Sequence, residues 1–156
     1  MQYQDWQDYR QGWIFRHREL PIPDEQRQQI RPLAADSAAQ VWRQQISLEA
    51  SNASHFLSDD WPARNGVWQS ERLAWQEQWE SDDVQRPQEI AEHCDWQDNT
   101  VVFFCYDVHH VVETNWRIFK QHWKNFLFFD DGPLLIAKRR QEAVQFFSDG
   151  QYQLGI

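Results

Sequence analysis

Residues 100–106 read TVVFFCY, and this run of β-branched and aromatic side chains is the part of the chain that decides the fold. A short apolar run without polar alternation is typical of a strand that is buried on both faces. We therefore expect residues 100–106 to form a strand with side chains packed above and below it.

The segment after this strand predicts an amphipathic helix. Its apolar side chains recur at helical spacing, at Trp116, Phe119, Trp123, Phe126 and Leu127. We expect Thr114 to cap the first turn of this helix, and residues 130–133, DDGP, to end it. His109 and His110 are expected in the loop that precedes the helix.

Three further strands are predicted beyond the helix, at residues 134–137, 143–147 and 151–156. The cationic residues 138–140 suit an exposed turn between the first two of these strands. Asp149 and Gly150 predict a type I′ hairpin turn that pairs Phe147 with Tyr152.

The first half of the chain predicts short helices, over residues 24–31, 38–47 and 88–94. Ser37 and Gln40 have the spacing of a capping box for the second helix. Residues 48–66 indicate a long irregular connection, and residues 13–18 a short strand. The predicted fold class is α+β: one domain over residues 1–156, with a helical N-terminal half and a C-terminal antiparallel sheet packed against a Trp-rich helix.

The Trp residues between the two halves allow two interpretations. Trp68, Arg72, Trp75 and Trp79 are spaced as on one face of a helix, which would align three indoles in a stripe. A strand that contains Leu73, Trp75 and Trp79 is the alternative. An indole stripe would serve either as core packing or as an anchor surface for a protein or a sugar.

The charge balance excludes one class of partner. The chain has 15 Lys and Arg residues against 24 Asp and Glu residues, a formal net charge of −9. Its cationic cluster at residues 138–140 is too small for the basic face that nucleic-acid binding needs. An acidic surface serves either solubility or complementarity to a basic protein partner.

Cofactors, metals and membranes are not expected. Five Gly residues cannot assemble a phosphate-binding loop, and no apolar run is long enough to cross a bilayer. Cys94 and Cys105 lack the spacing of zinc ligands. Two thiols without a disulfide framework, and a start without a secretory signal pattern, favour a reduced cytoplasmic location.

Adjacent acidic pairs are the candidates for acid–base or metal chemistry. They are Asp59 with Asp60, Asp82 with Asp83, and Asp130 with Asp131. Each pair lies next to Trp, Pro or Gly at a predicted element boundary, so turn formation explains the pairs without a function. If one pair is functional, we expect it to be Asp130 with Asp131.

The stretch from Phe103 to Gly155 resembles a family of small uncharacterised gammaproteobacterial proteins that is classed as a domain of unknown function. The resemblance is carried by Cys105, Tyr106, Glu113, Thr114, Trp116, Phe119, Trp123 and the block NFLFFDDGP at residues 125–133. The acidic pair Asp130 and Asp131 belongs to this block, and the family implies no catalytic residues. A looser resemblance in architecture is to immunity proteins that neutralise bacterial toxins.

The sequence therefore predicts a non-catalytic, cytoplasmic protein-binding domain, inhibitory or immunity-like toward a basic protein partner. The candidate partner-binding residues are Trp68, Trp75, Trp79, Asp130 and Asp131. Two alternatives remain: a small enzyme that uses the carboxylates of Asp130 and Asp131, and carbohydrate binding on the Trp68–Trp79 stripe.

Overall fold

The computed structural model describes residues 1–156. Its strands are β1 (Arg31–Pro32), β2 (Leu73–Ala74), β3 (Val101–Asp107), β4 (His110–Asn115), β5 (Leu134–Ala137), β6 (Ala143–Phe146) and β7 (Gln151–Gly155). Its α-helices are α1 (Asp24–Arg27), α2 (Ala35–Gln45), α3 (Gln76–Glu80), α4 (Gln88–His93) and α5 (Trp116–Phe126). The strands form one antiparallel sheet in the order β1-β4-β3-β5-β6-β7-β2, so the fold class is α+β as predicted.

Strand β3 lies inside the sheet between β4 and β5, and it separates two apolar layers. Val102 and Phe104 belong to the layer that contains α5, whereas Phe103 and Cys105 belong to the layer that contains α2. Successive side chains of a strand point to opposite faces, and here both faces are covered. The predicted doubly buried strand is confirmed.

Helix α5 packs its aromatic stripe on one face of the sheet, as predicted, with Trp116, Phe119 and Trp123 buried. The predicted cap is wrong by one residue. The side chain of Asn115, not Thr114, accepts a hydrogen bond from the backbone N–H of Ile118, at 2.9 Å. Thr114 stays in β4 opposite Val102, because the strand continues up to the helix.

Helix α2 covers the opposite face and buries Val41 and Trp42. It begins at Ala35, so the predicted capping box at Ser37 and Gln40 is wrong. The Ser37 hydroxyl instead accepts a hydrogen bond from the backbone N–H of Gln2, at 2.8 Å. The side chain that was predicted to cap the helix is therefore hydrogen-bonded to the N-terminal segment.

Two features of the sheet differ from the prediction. His110 is the first residue of β4 and not part of a loop, because β4 pairs with β3 along its length. The hairpin before β7 is not type I′, since Gly150 alone has a positive φ, +84°, whereas that turn needs two such residues. A three-residue loop results, and Tyr152 pairs with Phe146 rather than with Phe147.

The N-terminal half is less helical than predicted. Helix α1 ends at Arg27, because β1 pairs with β4 immediately afterwards. Residues 13–18 contain no strand, and Gly12–Phe15 form a 3₁₀ turn instead. Two more 3₁₀ turns, Ala53–His55 and Trp61–Ala63, lie within the predicted irregular connection. Helix α4 confirms the short helix predicted at residues 88–94.

Of the two interpretations of Trp68, Trp75 and Trp79, the single helical stripe is wrong, and the alternative strand is confirmed only at Leu73, which lies in β2. Trp68 forms an isolated β-bridge with Gly155, and Trp75 caps α3, which contains Trp79. Strand β2 separates the first indole from the other two by pairing with β7. Pairing with the sheet edge thus overrides the helical spacing of the indoles.

Candidate functional site

A cavity of about 440 Å³ opens where the C-terminal end of β3 meets the segment that follows α5. We call it the acidic-aromatic cavity. Its lining residues are Gln11, Asn52, Ala53, Ser54, His55, Tyr106, Asp107, Phe128, Phe129, Asp130, Asp131 and Pro133. The lining contains three Asp residues and no Lys or Arg.

A tight turn after α5 presents the acidic pair to this cavity. Gly132 has a φ of +83°, a conformation that side-chain-bearing residues rarely adopt, and its N–H bonds the carbonyl of Asp130. A Cβ atom on Gly132 would lie 3.0 Å from the Cβ of Ala53, so the turn packs directly on the Ala53–His55 wall. The Gln145 side chain holds the turn from the sheet side by donating to the Gly132 carbonyl.

Aromatic rings form one wall of the cavity and continue to the surface beside it. Phe128 packs against Trp13 at 5.3 Å between ring centroids, His17 at 4.9 Å and Trp79 at 5.4 Å. Phe129 lies 5.7 Å from Trp13 as well. Trp13 is 45% exposed, whereas Phe128 and Phe129 are half-buried. Aromatic side chains and carboxylates thus line one opening.

The two carboxylates of the acidic pair have no cationic partner. Asp130 and Asp131 form no ion pair, and neither side chain bonds another residue. Burial raises the pKa of Asp130 above its ordinary value of 3.8, and the negative charge of Asp131 adds to that effect. The site therefore holds negative charge at a cost in free energy that a bound cation would reduce.

Asp107 differs from the acidic pair because it already has a partner. Its carboxylate lies 2.8 Å from Nδ1 of His110 and accepts the backbone N–H of His109. Burial opposes ionisation of Asp107, but these hydrogen bonds outweigh it and lower its pKa. The hydrogen bond to Asp107 raises the pKa of His110, against the effects of burial and of Arg10. Asp107 therefore already has a partner within the protein, whereas the acidic pair does not.

A second acidic cavity, of about 930 Å³, lies beside α4. Its carboxylates come from Asp83, Glu89, Glu92 and Asp95, and Arg86 is the cation among them. No aromatic ring lines it, and Ala91 is its one hydrophobic residue. It is a polar surface groove and offers no stacking face to a ligand.

Metal-binding geometry is absent from the chain: no three His, Cys, Asp or Glu side chains are grouped so that they could hold an ion. Cys94 and Cys105 are both buried, and they lie in different apolar layers on the two sides of the sheet. Burial raises the pKa of each thiol, which disfavours the nucleophilic thiolate.

The predicted site residues are not brought together as one surface. Asp130 and Asp131 line the acidic-aromatic cavity, and Trp79 lies behind it against Phe128. Trp75 is only 4% exposed, and its indole N–H donates to the carbonyl of Gln151. Trp68 packs against Trp61 on the other face of the sheet. The three indoles therefore do not form one platform.

Sequence reasoning missed Phe128, Phe129 and Asp107 as members of the site. The two Phe residues follow Leu127 directly, where the helical pattern ends, so periodicity did not assign them to a face. Asp107 reaches the cavity because β3 ends there. The available signal was an apolar run, residues 126–129, that continues beyond the end of the helix and is followed directly by Asp130 and Asp131.

Residues 3–155 match the family described as "Protein of unknown function (DUF2947)". Since the match spans nearly the whole sequence, the chain belongs to this family. The match also covers the N-terminal half, beyond the stretch Phe103–Gly155 over which the resemblance was noted. No curated protein and no solved structure matches the chain. No helix is long and apolar enough to span a membrane.

Proposed function

We propose that the protein is a non-catalytic binding protein whose acidic-aromatic cavity receives a cationic side chain of a basic protein partner. The observation that supports this most directly is the position of Asp130 and Asp131, which lie without a cationic partner beside the half-buried rings of Phe128 and Phe129. Inhibition of the partner, as by an immunity protein, is one outcome that such binding would have.

The chemistry of the cavity favours a guanidinium or ammonium group. A carboxylate accepts charge-assisted hydrogen bonds from Arg or Lys, and an aromatic face attracts the same cation. At about 440 Å³ the cavity has room for a side chain together with part of its backbone. A neutral sugar would satisfy the rings but would leave the charges of Asp130 and Asp131 uncompensated.

The net charge of the whole chain also favours a cationic partner. At −9 the protein attracts a basic partner over a distance set by the ionic strength, which raises the association rate. Long-range attraction is not specific to one site, however. Specificity in this proposal comes from the rings of Phe128, Phe129 and Trp13, which the acidic cavity beside α4 does not have.

Binding of a cation should also change the protonation equilibrium of the Asp130 carboxyl. Its pKa is raised by burial and by Asp131, and a cation placed between the two carboxylates would lower it again. The affinity for a cation is therefore expected to increase as the pH rises through the pKa of Asp130 in the free protein.

The test is calorimetric titration of a tetra-arginine peptide into the protein and into two double variants of equal charge change. Asp130→Asn with Asp131→Asn should weaken binding roughly tenfold, because two charge-assisted contacts are lost. Asp82→Asn with Asp83→Asn, on the exposed turn after α3, is the matched control and should weaken it less than about threefold. Equal weakening by both variants, or by neither, would contradict the proposed site.

A further inference from the structure

A cavity of opposite charge lies at the start of α5, separate from the acidic-aromatic cavity. It has a volume of about 410 Å³, and its charged lining residues are Arg86, Asp98, Arg117 and Lys120. The lining has three cations against one carboxylate in a chain whose net charge is −9. Arg86 also borders the acidic cavity beside α4, so Arg117 and Lys120 are the cations that belong to this cavity alone. Gln85 and Gln121 complete the polar lining with amide groups that can donate.

The two guanidinium groups and the ammonium group of this cavity differ in their partners. Arg86 and Arg117 form no ion pair, whereas the ammonium of Lys120 lies 3.0 Å from a carboxylate oxygen of Asp98. Arg86 bonds only the side-chain oxygen of Gln85, and its buried Nε–H has no acceptor. Unsatisfied buried donors are rare, and this one belongs to a side chain that lines the cavity.

Backbone contacts hold the walls of the cavity in place. The N–H of Arg117 donates to the carbonyl of Asp98 at 3.0 Å, which joins the start of α5 to the loop before β3. On the other side, the indole N–H of Trp123 donates to the carbonyl of Val84. The Lys120 ammonium lies over the Trp116 ring, 5.6 Å from its centroid. The cations are thus presented by connected elements rather than by a free loop.

We propose that this cavity binds a phosphate group, as the free ion or as the monoester of a small molecule. Planar guanidinium groups match the oxygens of phosphate through paired hydrogen bonds, and the excess of positive charge suits a dianion better than a single carboxylate. Asp98 is the residue that limits the affinity, because it already neutralises Lys120. The site is independent of the acidic-aromatic cavity, and either one can exist without the other.

The test is titration of inorganic phosphate, phenyl phosphate and acetate at constant ionic strength, followed by calorimetry. We expect saturable binding of one or both phosphates and not of acetate, with phenyl phosphate favoured if a monoester is the natural ligand. Arg117→Gln, which changes an exposed side chain, should weaken binding roughly tenfold. Asp98→Asn should strengthen it, because Lys120 is then released from its ion pair.

The control is Lys138→Gln, which removes one exposed positive charge from the turn between β5 and β6. It should leave the phosphate affinity unchanged. The proposal is overturned if wild-type protein shows no saturable binding below roughly 10 mM. It is overturned equally if Lys138→Gln weakens binding as much as Arg117→Gln does, or if Asp98→Asn has no effect.

Discussion

The two faces of the sheet are covered by apolar layers that differ in size and in residue composition. The layer under α5 contains 24 buried apolar residues and most of the ring-to-ring contacts, whereas the layer under α2 contains 13 and uses small side chains such as Ala38, Ala39 and Val41. The acidic-aromatic cavity opens at the edge of the first layer, where Phe128 continues its aromatic packing to the surface. The surplus of aromatic residues is therefore mainly structural, and aromatic side chains become available for binding only where the layer under α5 ends.

The indole donors support this conclusion. Six of the ten Trp residues donate their N–H to a backbone carbonyl. Some of these bonds are local, as from Trp68 to Pro62, and others tie distant segments together, as Trp79 ties α3 to the carbonyl of Lys124. A Trp engaged in this way joins parts of the fold and is not free to anchor a partner.

The largest expected effect comes from neighbouring residues of β3 that face opposite layers. Phe104→Ala should lower the free energy of unfolding by about 3–5 kcal/mol. Phe103→Ala should cost roughly 1 kcal/mol less, because Phe104 packs against Phe119, Phe126 and Phe146 and such ring pairs add to burial. Urea denaturation of the two variants measures the difference. Equal losses of stability, or a larger loss for Phe103→Ala, would show that the layer under α5 is not the more stabilising of the two.

A smaller loss of stability is expected from variants that remove side-chain hydrogen bonds to the N-terminal segment or to the α2 side of the sheet. Asn125, which is 2% exposed, donates to the carbonyls of Ile14 and Leu20 at 2.8 and 3.0 Å. Asn125→Ala should cost about 2–3 kcal/mol, since buried acceptors lose their donor. Gln4 makes the corresponding bond to Leu33 on the α2 side but is half-exposed, so Gln4→Ala should cost under about 1 kcal/mol. Chemical denaturation of both variants measures the two losses of stability, and a larger loss for Gln4→Ala would contradict this expectation.

The smallest effect is a pH dependence at the turn between β3 and β4. The raised pKa of His110 means that its stabilisation is complete below 6.5 and is lost as the pH rises through the higher folded value. The lowered pKa of Asp107 means that its stabilisation is present above 3.8 and is lost in more acidic solution. The pair is about one-third exposed, so solvent screening limits its contribution to under about 1 kcal/mol.

The pH dependence of this pair is tested by thermal unfolding of the wild type and of His110→Gln. The range of roughly pH 5 to pH 8.5 covers the ordinary pKa of histidine and values above it. The stability difference between the two proteins should be largest near the acidic limit and should shrink as the pH rises. His109→Gln, at the exposed neighbour, is the control and should keep the wild-type pH dependence. A difference that stays constant with pH would show that the ion pair contributes nothing.

The predictable parts of the molecule are those in which local pattern and tertiary structure agree. The strand at residues 100–106 and the stripe of α5 carry enough apolar residues to determine their own state. Strands β1 and β2 are each two residues long and exist only because β4 and β7 are available to pair. No local signal marks β1, and at β2 the indole spacing of Trp68–Trp79 left a helix and a strand both open, between which edge pairing decides.

The candidate site was predictable only in part for the same reason. Asp130 and Asp131 stood out as an acidic pair within a distinctive block of sequence. Their partners in the cavity, Asp107 and the Ala53–His55 turn, come from segments that the sheet topology alone brings near. A single sequence does not specify which distant segments meet.

The central claim, that a cation binds where the aromatic layer reaches the surface, is tested most directly by nuclear magnetic resonance with ¹⁵N-labelled protein. Addition of tetra-arginine should shift the indole N–H signals of Trp13 and Trp79 and the backbone amides of residues 128–132. The indoles of Trp42 and Trp61, on the α2 side, should not move. Shifts confined to α4, beside the non-aromatic acidic cavity, or spread evenly over the acidic surface would contradict the account.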